Sequence, residues 1–265
     1  MVTAGRPGWR QIISFVFGGL LLAACLAGNA AAHGNVNAKE KVGLTSGYRA
    51  LYAEEKPVID GQLTEDIWQK AAWYPINHLM LGKMPDSRDF QGEFALAWDE
   101  ERLYLIAKIT DDVLIDRYAD PLQSYWDDDT LEIFIDENFS GGDHQYNHNA
   151  FAYHVALDNQ VVDIGTNHKA QLYNEHINSR WRRQGEQVIW EAAIKVYSDN
   201  YRDDKQDNQA VKLLQGKRMG FMLAYCDNDG SVEREHFIGS REIPGPEKNL
   251  GWITADVFAP LLLVR

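Results

Sequence analysis

The chain has 265 residues, of which 45% are hydrophobic and 11% are aromatic, so it is long enough to bury a substantial core. It carries 26 Lys and Arg residues against 39 Asp and Glu residues, which gives a formal net charge of −13. This excess of negative charge repels nucleic acids and anionic membrane surfaces, so both are excluded as expected partners, and neutral ligands and cations remain.

The N-terminal 32 residues have the layout of a secretory signal peptide. Two arginines precede an apolar run over residues 12–22, and a stretch of small residues follows this run. The sequence therefore predicts an exported protein, periplasmic or secreted. It leaves two processing sites open, namely ordinary cleavage before His33 and lipid attachment at Cys25. The apolar run is short for a membrane-spanning helix, and we expect no transmembrane segment.

The rest of the chain is predicted to be a short flexible lead over residues 33–47 and one domain over residues 48–265. The lead is polar and contains glycine, whereas β-rich runs begin near Tyr48. After cleavage at residue 32, Cys226 is the single cysteine left in the sequence, which excludes an internal disulfide. We expect Cys226 to be a small buried apolar residue.

Runs of alternating or β-branched residues recur between turn signals along the domain. This pattern predicts an all-β fold, a jelly-roll-like β-sandwich of two antiparallel sheets. One short helix is predicted over residues 65–71, where Thr64 can cap a turn that directs Ile67 and Trp68 inward. The predicted strands cover residues 49–53, 93–98, 103–109, 131–135, 151–157, 187–196, 219–225 and 260–264.

The segment 125–136, with the sequence YWDDDTLEIFID, says most about function. Its alternation places three aliphatic residues on one face of a strand and Glu132 on the other, and Trp126 falls on the Glu132 side. An indole beside hydrogen-bonding carboxylates suits a ligand with an apolar CH face and a ring of hydroxyls, as in a sugar. The alternative is a half-buried edge strand with a solvated acidic lead-in.

A second polar segment covers residues 143–157 and contains three histidines at positions i, i+4 and i+10. That spacing fits no standard zinc motif. Alternation from Asn149 onward predicts a strand whose polar members line the same groove as Trp126. We therefore take Asn149 and His154 as further candidates for sugar contacts.

Several short motifs occur in a defined order along the domain. They are Val58-Ile59-Asp60-Gly61, Ala97-Trp98-Asp99, Thr110-Asp111-Asp112, the segment 126–136, Trp190-Glu191-Ala192-Ala193-Ile194 and Asp227-Asn228-Asp229-Gly230. This ordered set resembles the family-nine carbohydrate-binding modules, a β-sandwich family first known as appendages of xylanases. The resemblance runs the length of the domain.

The resemblance implies a non-catalytic module that binds a mono- or oligosaccharide, or the end of a glycan chain, between two aromatic rings. Carried over to this sequence, Trp126 is one wall and Glu132 accepts hydrogen bonds from hydroxyls. The family's second wall is a Trp after the Asp-Asn-Asp-Gly turn, where this chain has Phe237. The resemblance also implies a supporting role in polysaccharide catabolism.

Structural calcium is a further implication of the resemblance. Calcium takes hard oxygen ligands, most often carboxylates. Two acidic segments of this chain supply them, and the candidate ligands are Asp111 in the first segment and Asp127 and Asp128 in the second.

Two other functions stay open at this point. A heme-carrying electron-transfer sandwich would bind iron through Met and His side chains, for which Met222 and His154 are the candidates. A weakly catalytic glycoside hydrolase accessory would need two carboxylates facing each other across a sugar, roughly 5 or 6.5–9.5 Å apart. The spacing singles out no pair among the available acids, which are Glu132, Asp136, Glu191 and Asp229.

Overall fold

The computed structural model describes residues 47–265, which form fourteen strands, one α-helix and one 3₁₀ turn. The signal peptide, nearly all of the flexible lead and Cys25 lie outside the described residues. Helix α1 spans Asp66–Lys70, and the 3₁₀ turn spans Ala255–Val257. The strands are β1 (Tyr48–Tyr52), β2 (Trp73–Ile76), β3 (His78–Gly82), β4 (Phe90–Trp98), β5 (Leu103–Asp111), β6 (Thr130–Asp136), β7 (Phe151–Ala156), β8 (Val161–Ile164), β9 (Ala170–Leu172), β10 (Ile177–Gln184), β11 (Gln187–Ile194), β12 (Arg218–Asp227), β13 (His236–Gly239) and β14 (Ala259–Val264).

The strands form one hydrogen-bonded path in the order β10-β11-β5-β4-β1-β14-β12-β6-β7-β8-β9, with β2 paired to β4 and β13 paired to both β12 and β3. Strand β1 runs parallel to both of its neighbours, with Leu51 opposite Ala97 of β4 and Tyr48 opposite Leu261 of β14. The all-β prediction is confirmed. The two antiparallel sheets that the sequence predicts are instead joined through β1 into one mixed sheet.

The two halves of this path pack against each other in the main core. Strands β4, β5 and β11 contribute Phe94, Leu105 and Trp190, and strands β6 and β12 contribute Leu131 and Phe221. All five side chains are fully buried, at 0% exposure. Burial of apolar side chains from both halves in one cluster is the packing expected of a β-sandwich.

Strand β6 is buried on both faces. Leu131 and Ile133 point into the main core, whereas Phe134 packs in a second cluster with Met222 and Phe258. Every residue of Thr130–Asp136 is buried, because the two clusters cover its inner and outer faces while β12 and β7 cover its edges. The predicted alternation is confirmed, and the alternative of a half-buried edge strand is wrong.

Helix α1 confirms the predicted helix near residues 65–71 and covers the outer face of the other half of the sheet. Trp68 is 1% exposed and packs in a third cluster with Ala95 and Ile106. The predicted Thr64 cap is wrong, because the residue before the helix is Glu65, and its side chain makes no capping hydrogen bond. Within residues 47–265 no helix is both long and apolar enough to cross a membrane.

Glu191 of β11 holds the segment before α1 against the sheet. One carboxylate oxygen accepts hydrogen bonds from the backbone N–H groups of Asp60 and Gly61, each at 3.0 Å, and the other accepts one from Trp68 Nε1 at 3.2 Å. Glu191 is 0% exposed. Gly61 has a φ of +75°, and a Cβ there would lie 2.7 Å from the carbonyl carbon of Trp181, so this close turn requires glycine.

We expect Glu191→Ala to lower the free energy of unfolding by about 2–3 kcal/mol, because it leaves a buried backbone N–H and an indole N–H without acceptors. Urea denaturation measures this change. Glu186→Ala is the matched control, since Glu186 is exposed in the turn before β11. Equal stabilities of the two variants would contradict the role given to Glu191.

Candidate binding site

A cavity of about 300 Å³ lies on the outer face of β6, β7 and β8. Its floor includes Glu132 of β6, His154 of β7 and Asp163 of β8. Loops supply the walls, with Trp126 on one of them and Trp252 on another. The cavity therefore combines a polar floor from rigid strands with aromatic walls from loops, as small-ligand sites commonly do.

Trp126 is 41% exposed although it lies in a structured turn four residues before β6. Its ring meets that of Tyr125 edge-on, with 4.8 Å between centroids. Tyr125 in turn meets the imidazole of His154 edge-on at 4.7 Å. Tyr125 thus supports Trp126 against the floor and leaves an indole face available to a ligand.

Trp252 is the second large aromatic residue of the cavity. It is partly buried against the second core cluster. Gly251 precedes it and lets the backbone pass close to β6 and β12, since a Cβ at Gly251 would lie 2.6 Å from the ring of Phe134 and 2.8 Å from Met222 Cε. This close approach positions Trp252 at the cavity.

Glu132 and His154 are opposite each other in the β6–β7 ladder, and their Oε1 and Nε2 atoms lie 3.2 Å apart. The Nδ1 of His154 is 3.3 Å from the carbonyl oxygen of Ala152, which can only accept. Burial raises the pKa of Glu132 to about 8 and lowers the pKa of His154 to about 3. At neutral pH the imidazole is therefore neutral, and a proton on Glu132 can be donated to its Nε2.

Arg234 and Asp163 complete the charged groups of the cavity. Arg234 Nη1 lies 3.0 Å from Cys226 Sγ and 3.9 Å from Glu132 Oε2. The carboxylate of Asp163 accepts hydrogen bonds from the backbone N–H groups of Ala152 and Ile164, and burial raises its pKa to about 7. The floor thus offers both donors and acceptors.

Three of the five sugar-contact candidates line this cavity, namely Trp126, Glu132 and His154. Asn149 does not, because its side chain holds the neighbouring loop by donating to the carbonyl of Gly141 at 2.7 Å. Phe237 does not line it either. Its ring is 1% exposed and lies 4.3 Å beneath the guanidinium of Arg234.

Sequence reasoning missed Trp252, Arg234 and Asp163 as residues of the cavity. A local signal existed for Trp252 alone, because a Gly-Trp pair in a loop combines a close backbone approach with a large aromatic side chain. Asp163 is brought to Glu132 by strand pairing, and Arg234 by the loop between β12 and β13, neither of which the local pattern specifies.

A separate acid cluster lies at the ends of β5 and β12, and it consists of Asp89, Asp111, Asp112, Asp227 and Asp229. One carboxylate oxygen from each of Asp111, Asp227 and Asp229 lies within 4.8 Å of the other two, and Asp89 adjoins both Asp227 and the Asp112–Asp229 pair. Both carboxylate oxygens of Asp227 are buried and have no hydrogen-bond partner within residues 47–265. Burial and the neighbouring carboxylate of Asp111 raise the pKa of Asp227 to about 8.

Of the three predicted calcium ligands, only Asp111 belongs to the acid cluster. Asp127 accepts a hydrogen bond from the backbone N–H of Arg234 at 3.3 Å. Asp128 accepts from the backbone N–H groups of Arg117 and Tyr118 at 2.8 and 2.9 Å. Asp127 and Asp128 therefore fix loops, and the structure does not bring them together with Asp111.

The acids considered for catalysis do not form a facing pair across the cavity. Glu191 lies on the other half of the sheet, bonded to backbone N–H groups. Asp136 accepts from the backbone N–H groups of Asn138 and Gly141, and Asp229 belongs to the acid cluster. Met222, the proposed iron ligand, is packed in the second core cluster and does not line the cavity.

Known proteins of similar sequence include carbohydrate-binding domains. A sequence profile described as "Carbohydrate family 9 binding domain-like" matches residues 59–265. The endo-1,4-beta-xylanase A of Thermotoga neapolitana is 35% identical over 82 residues, which are 31% of this chain and 7% of that protein. The exoglucanase XynX of Acetivibrio thermocellus is 27% identical over 176 residues, 66% of this chain and 15% of that protein. The match thus spans only a small part of these relatives.

Two solved structures share the fold. A family 9 carbohydrate-binding module from Caldicellulosiruptor kristjanssonii in complex with cellotriose has a TM-score of 0.60 and 22% identity, over 82% of this chain and 93% of that chain. Its complex with glucose has the same TM-score and identity, over 82% of this chain and 96% of that chain. The profile match extends over nearly the whole described structure, and its family is one of non-catalytic carbohydrate-binding modules. The chain therefore belongs to the carbohydrate family 9 binding-domain family.

Proposed function

We propose that the cavity on β6, β7 and β8 binds a mono- or oligosaccharide, or the end of a glycan chain, without cleaving it. The observation that carries this proposal is the 41% exposed indole of Trp126 beside a buried polar floor. A core tryptophan would be covered, whereas a ring that presents its face to a polar cavity suits the CH face of a pyranose.

The ligand chemistry follows from the walls and the floor together. Trp126 contacts the apolar face of the sugar ring, and Trp252 forms the second aromatic wall in place of Phe237. Glu132 and His154 exchange hydrogen bonds with hydroxyls, and Arg234 donates to hydroxyl or ring oxygens. The cavity volume of about 300 Å³ lies at the small end of ligand sites, which favours one sugar unit or a chain end over an internal stretch of polymer.

Glucose and cello-oligosaccharides are the first ligands to test. They are the sugars bound by the modules of the same fold, which share 22% identity with this chain. The xylanase and exoglucanase relatives are named for activity on xylan and glucan. We therefore propose a supporting role in polysaccharide catabolism, in which the domain captures glycans for partner enzymes or for uptake.

We expect Trp126→Ala to weaken binding of glucose and cellotriose by at least about 30-fold, which corresponds to about 2 kcal/mol of lost stacking. Isothermal titration calorimetry measures the affinity. The urea midpoint should change little, because the ring is 41% exposed and belongs to none of the core clusters.

Leu122→Ala is the matched control for this experiment. Leu122 is 38% exposed on the same loop and does not line the cavity. Its truncation should leave the affinity unchanged, whereas Trp252→Ala should weaken it. Unaltered binding by Trp126→Ala, or unfolding of that variant, would show that the indole is not a sugar contact.

We also propose a structural calcium ion at the acid cluster. The residues fit this ion, because calcium takes carboxylate oxygens and Asp227 has two buried oxygens without partners in the described structure. Asp111, Asp227 and Asp229 would hold it. The ion would cancel repulsion between carboxylates and join the end of β5 to the end of β12.

Calcium at about 100 times its dissociation constant should raise the free energy of unfolding by about 2.7 kcal/mol and the melting temperature by about 5–10 °C. Thermal denaturation with calcium or with a chelator measures this shift. Asp227→Asn should lose it, whereas Asp128→Asn, altered in a loop outside the cluster, should keep it. The site would be refuted if calcium left the melting temperature unchanged, or if Asp227→Asn showed the full shift.

Export is a further part of the proposed function, and it rests on the N-terminal 32 residues. The mature protein then begins at His33, in the periplasm or the medium, or at a lipid-modified Cys25 on a membrane surface. Intact mass spectrometry of protein purified from the native host distinguishes these two forms. A mass that retains residues 1–24 would contradict both.

A further inference from the structure

Three side chains of different chemistry meet under the floor of the cavity, namely Glu132, His154 and Cys226, which we call the floor group. They come from the adjacent strands β6, β7 and β12. Glu132 is opposite His154, and Cys226 is opposite Thr130, two residues before Glu132 on the same face of β6. All three members are buried, at 2%, 6% and 0% exposure, and one ligand atom from each lies within 4.8 Å of the other two.

The separations within the floor group are those of metal ligands. Glu132 Oε1 lies 3.2 Å from His154 Nε2, and Glu132 Oε2 lies 3.8 Å from Cys226 Sγ. In a tetrahedral zinc site, bonds of about 2.0–2.3 Å place neighbouring ligand atoms about 3.3–3.5 Å apart. The strand register therefore brings the nitrogen and the sulfur to the two oxygens of one carboxylate, and one ligand atom from each side chain lies within 4.8 Å of the other two.

The orientation of the imidazole points to a bound cation or proton. Nδ1 of His154 faces the carbonyl oxygen of Ala152 at 3.3 Å, so Nδ1 carries the hydrogen and Nε2 carries the lone pair. That lone pair faces Oε1 of Glu132, where the proton of the carboxyl bridges the two atoms, and a metal ion could take the place of this proton. Metal-bound histidines commonly donate their other ring N–H to a backbone carbonyl in this way.

The charges around the floor group can balance a divalent ion. A thiolate at Cys226 and carboxylates at Glu132 and Asp163 would supply three negative charges. The ion and the guanidinium of Arg234 would supply three positive charges. Burial raises the pKa of the Cys226 thiol to about 12, so a bound ion would have to displace its proton, and Arg234 Nη1, 3.0 Å from Sγ, would then donate to the thiolate.

One coordination position would remain open toward the cavity. Glu132 and His154 both line the cavity, so two of the three ligands can be reached by an ion from there, whereas Cys226 lies behind them at 0% exposure. The hydroxyl of Thr130 is buried beside the sulfur of Cys226, its neighbour in the β6–β12 ladder. Three protein ligands with a fourth position left to water or another oxygen form a known type of zinc site.

We propose that Glu132, His154 and Cys226 form a binding site for a thiophilic divalent cation of the zinc class. The site is distinct from the acid cluster, whose carboxylate oxygens suit calcium and which contains no sulfur ligand. It gives Cys226 a chemical role, where the sequence predicted a small apolar residue.

Cobalt(II) titration of the full chain tests the proposal, with the protein first treated with EDTA and then supplied with calcium. We expect one equivalent of cobalt to produce a thiolate-to-cobalt charge-transfer band in the near ultraviolet, and zinc to abolish this band by displacement. Cys226→Ser should lose the band and bind zinc about 100-fold more weakly or worse. His154→Gln should also lose the band, which provides a second variant if the first fails to fold.

Cys25→Ser is the matched control, because Cys25 is the only other cysteine in the sequence. This variant should keep the band. Cobalt bound without a charge-transfer band, or a band that persists in Cys226→Ser, would overturn the proposal. The band does not depend on a sugar, so a chain that binds no sugar but shows the band would refute only the proposed function.

Discussion

The site depends on one constraint, which is that β6 is buried on both of its faces. Its inner residues pack in the main core, and its outer residues, including Glu132, lie beneath the cavity and the second core cluster. Side chains alternate along a strand, so a shift of one residue would exchange the two sets and place a carboxylate in the apolar core. The ladders with β7 and β12 therefore fix the position of Glu132 to within one residue.

The loops around β6 carry many acidic residues, and several of their carboxylates accept hydrogen bonds from backbone N–H groups. Asp129, 0% exposed, accepts hydrogen bonds from the backbone N–H groups of Ile115 and Asn228, and Asp128 accepts two from the loop between β5 and β6. Buried backbone groups outside helices and ladders need such acceptors. The acidic run before β6 is thus an anchor that joins two loops and holds Trp126 at the edge of the cavity.

The alternation of apolar and polar residues along the sequence predicts the strands that place one face in the core. Eight strands were predicted, and each corresponds to an observed strand with apolar inner residues. The pattern does not predict the other six strands, β2, β3, β8, β9, β10 and β13. Strand β10 is an example, since its sequence INSRWRRQ is polar and only Ile177 and Ser179 are buried. Trp126, Glu132 and His154 were found because they belong to two neighbouring strands and the turn before them. The local pattern does not predict Trp252 at the cavity, because Trp252 lies on a loop more than 100 residues after β6 in the sequence. Only the packing of that loop against the sheet brings the two together.

Phe237 occupies the sequence position of the family's second aromatic wall, but its ring does not have that role in this structure. Its ring is covered by the guanidinium of Arg234 at 4.3 Å, an arrangement stabilised by cation–π attraction. A ligand that approaches this place meets a cation supported by an aromatic ring, and it does not meet the ring itself. The cavity therefore presents one exposed indole and a floor of polar groups that are buried when no ligand is present.

The aromatic wall and the polar floor contribute differently to binding, the wall mainly to affinity and the floor mainly to selectivity among sugars. Stacking on Trp126 depends on an apolar CH face, which many pyranoses share, so it discriminates little among sugars. The floor is different, because Glu132, His154 and Arg234 are largely removed from water. A sugar that lacks a hydroxyl opposite one of these groups would leave it unpaired, and an unpaired buried polar group costs about 1–3 kcal/mol. Selectivity among sugars of similar shape thus arises at the floor, where the strand register fixes each group.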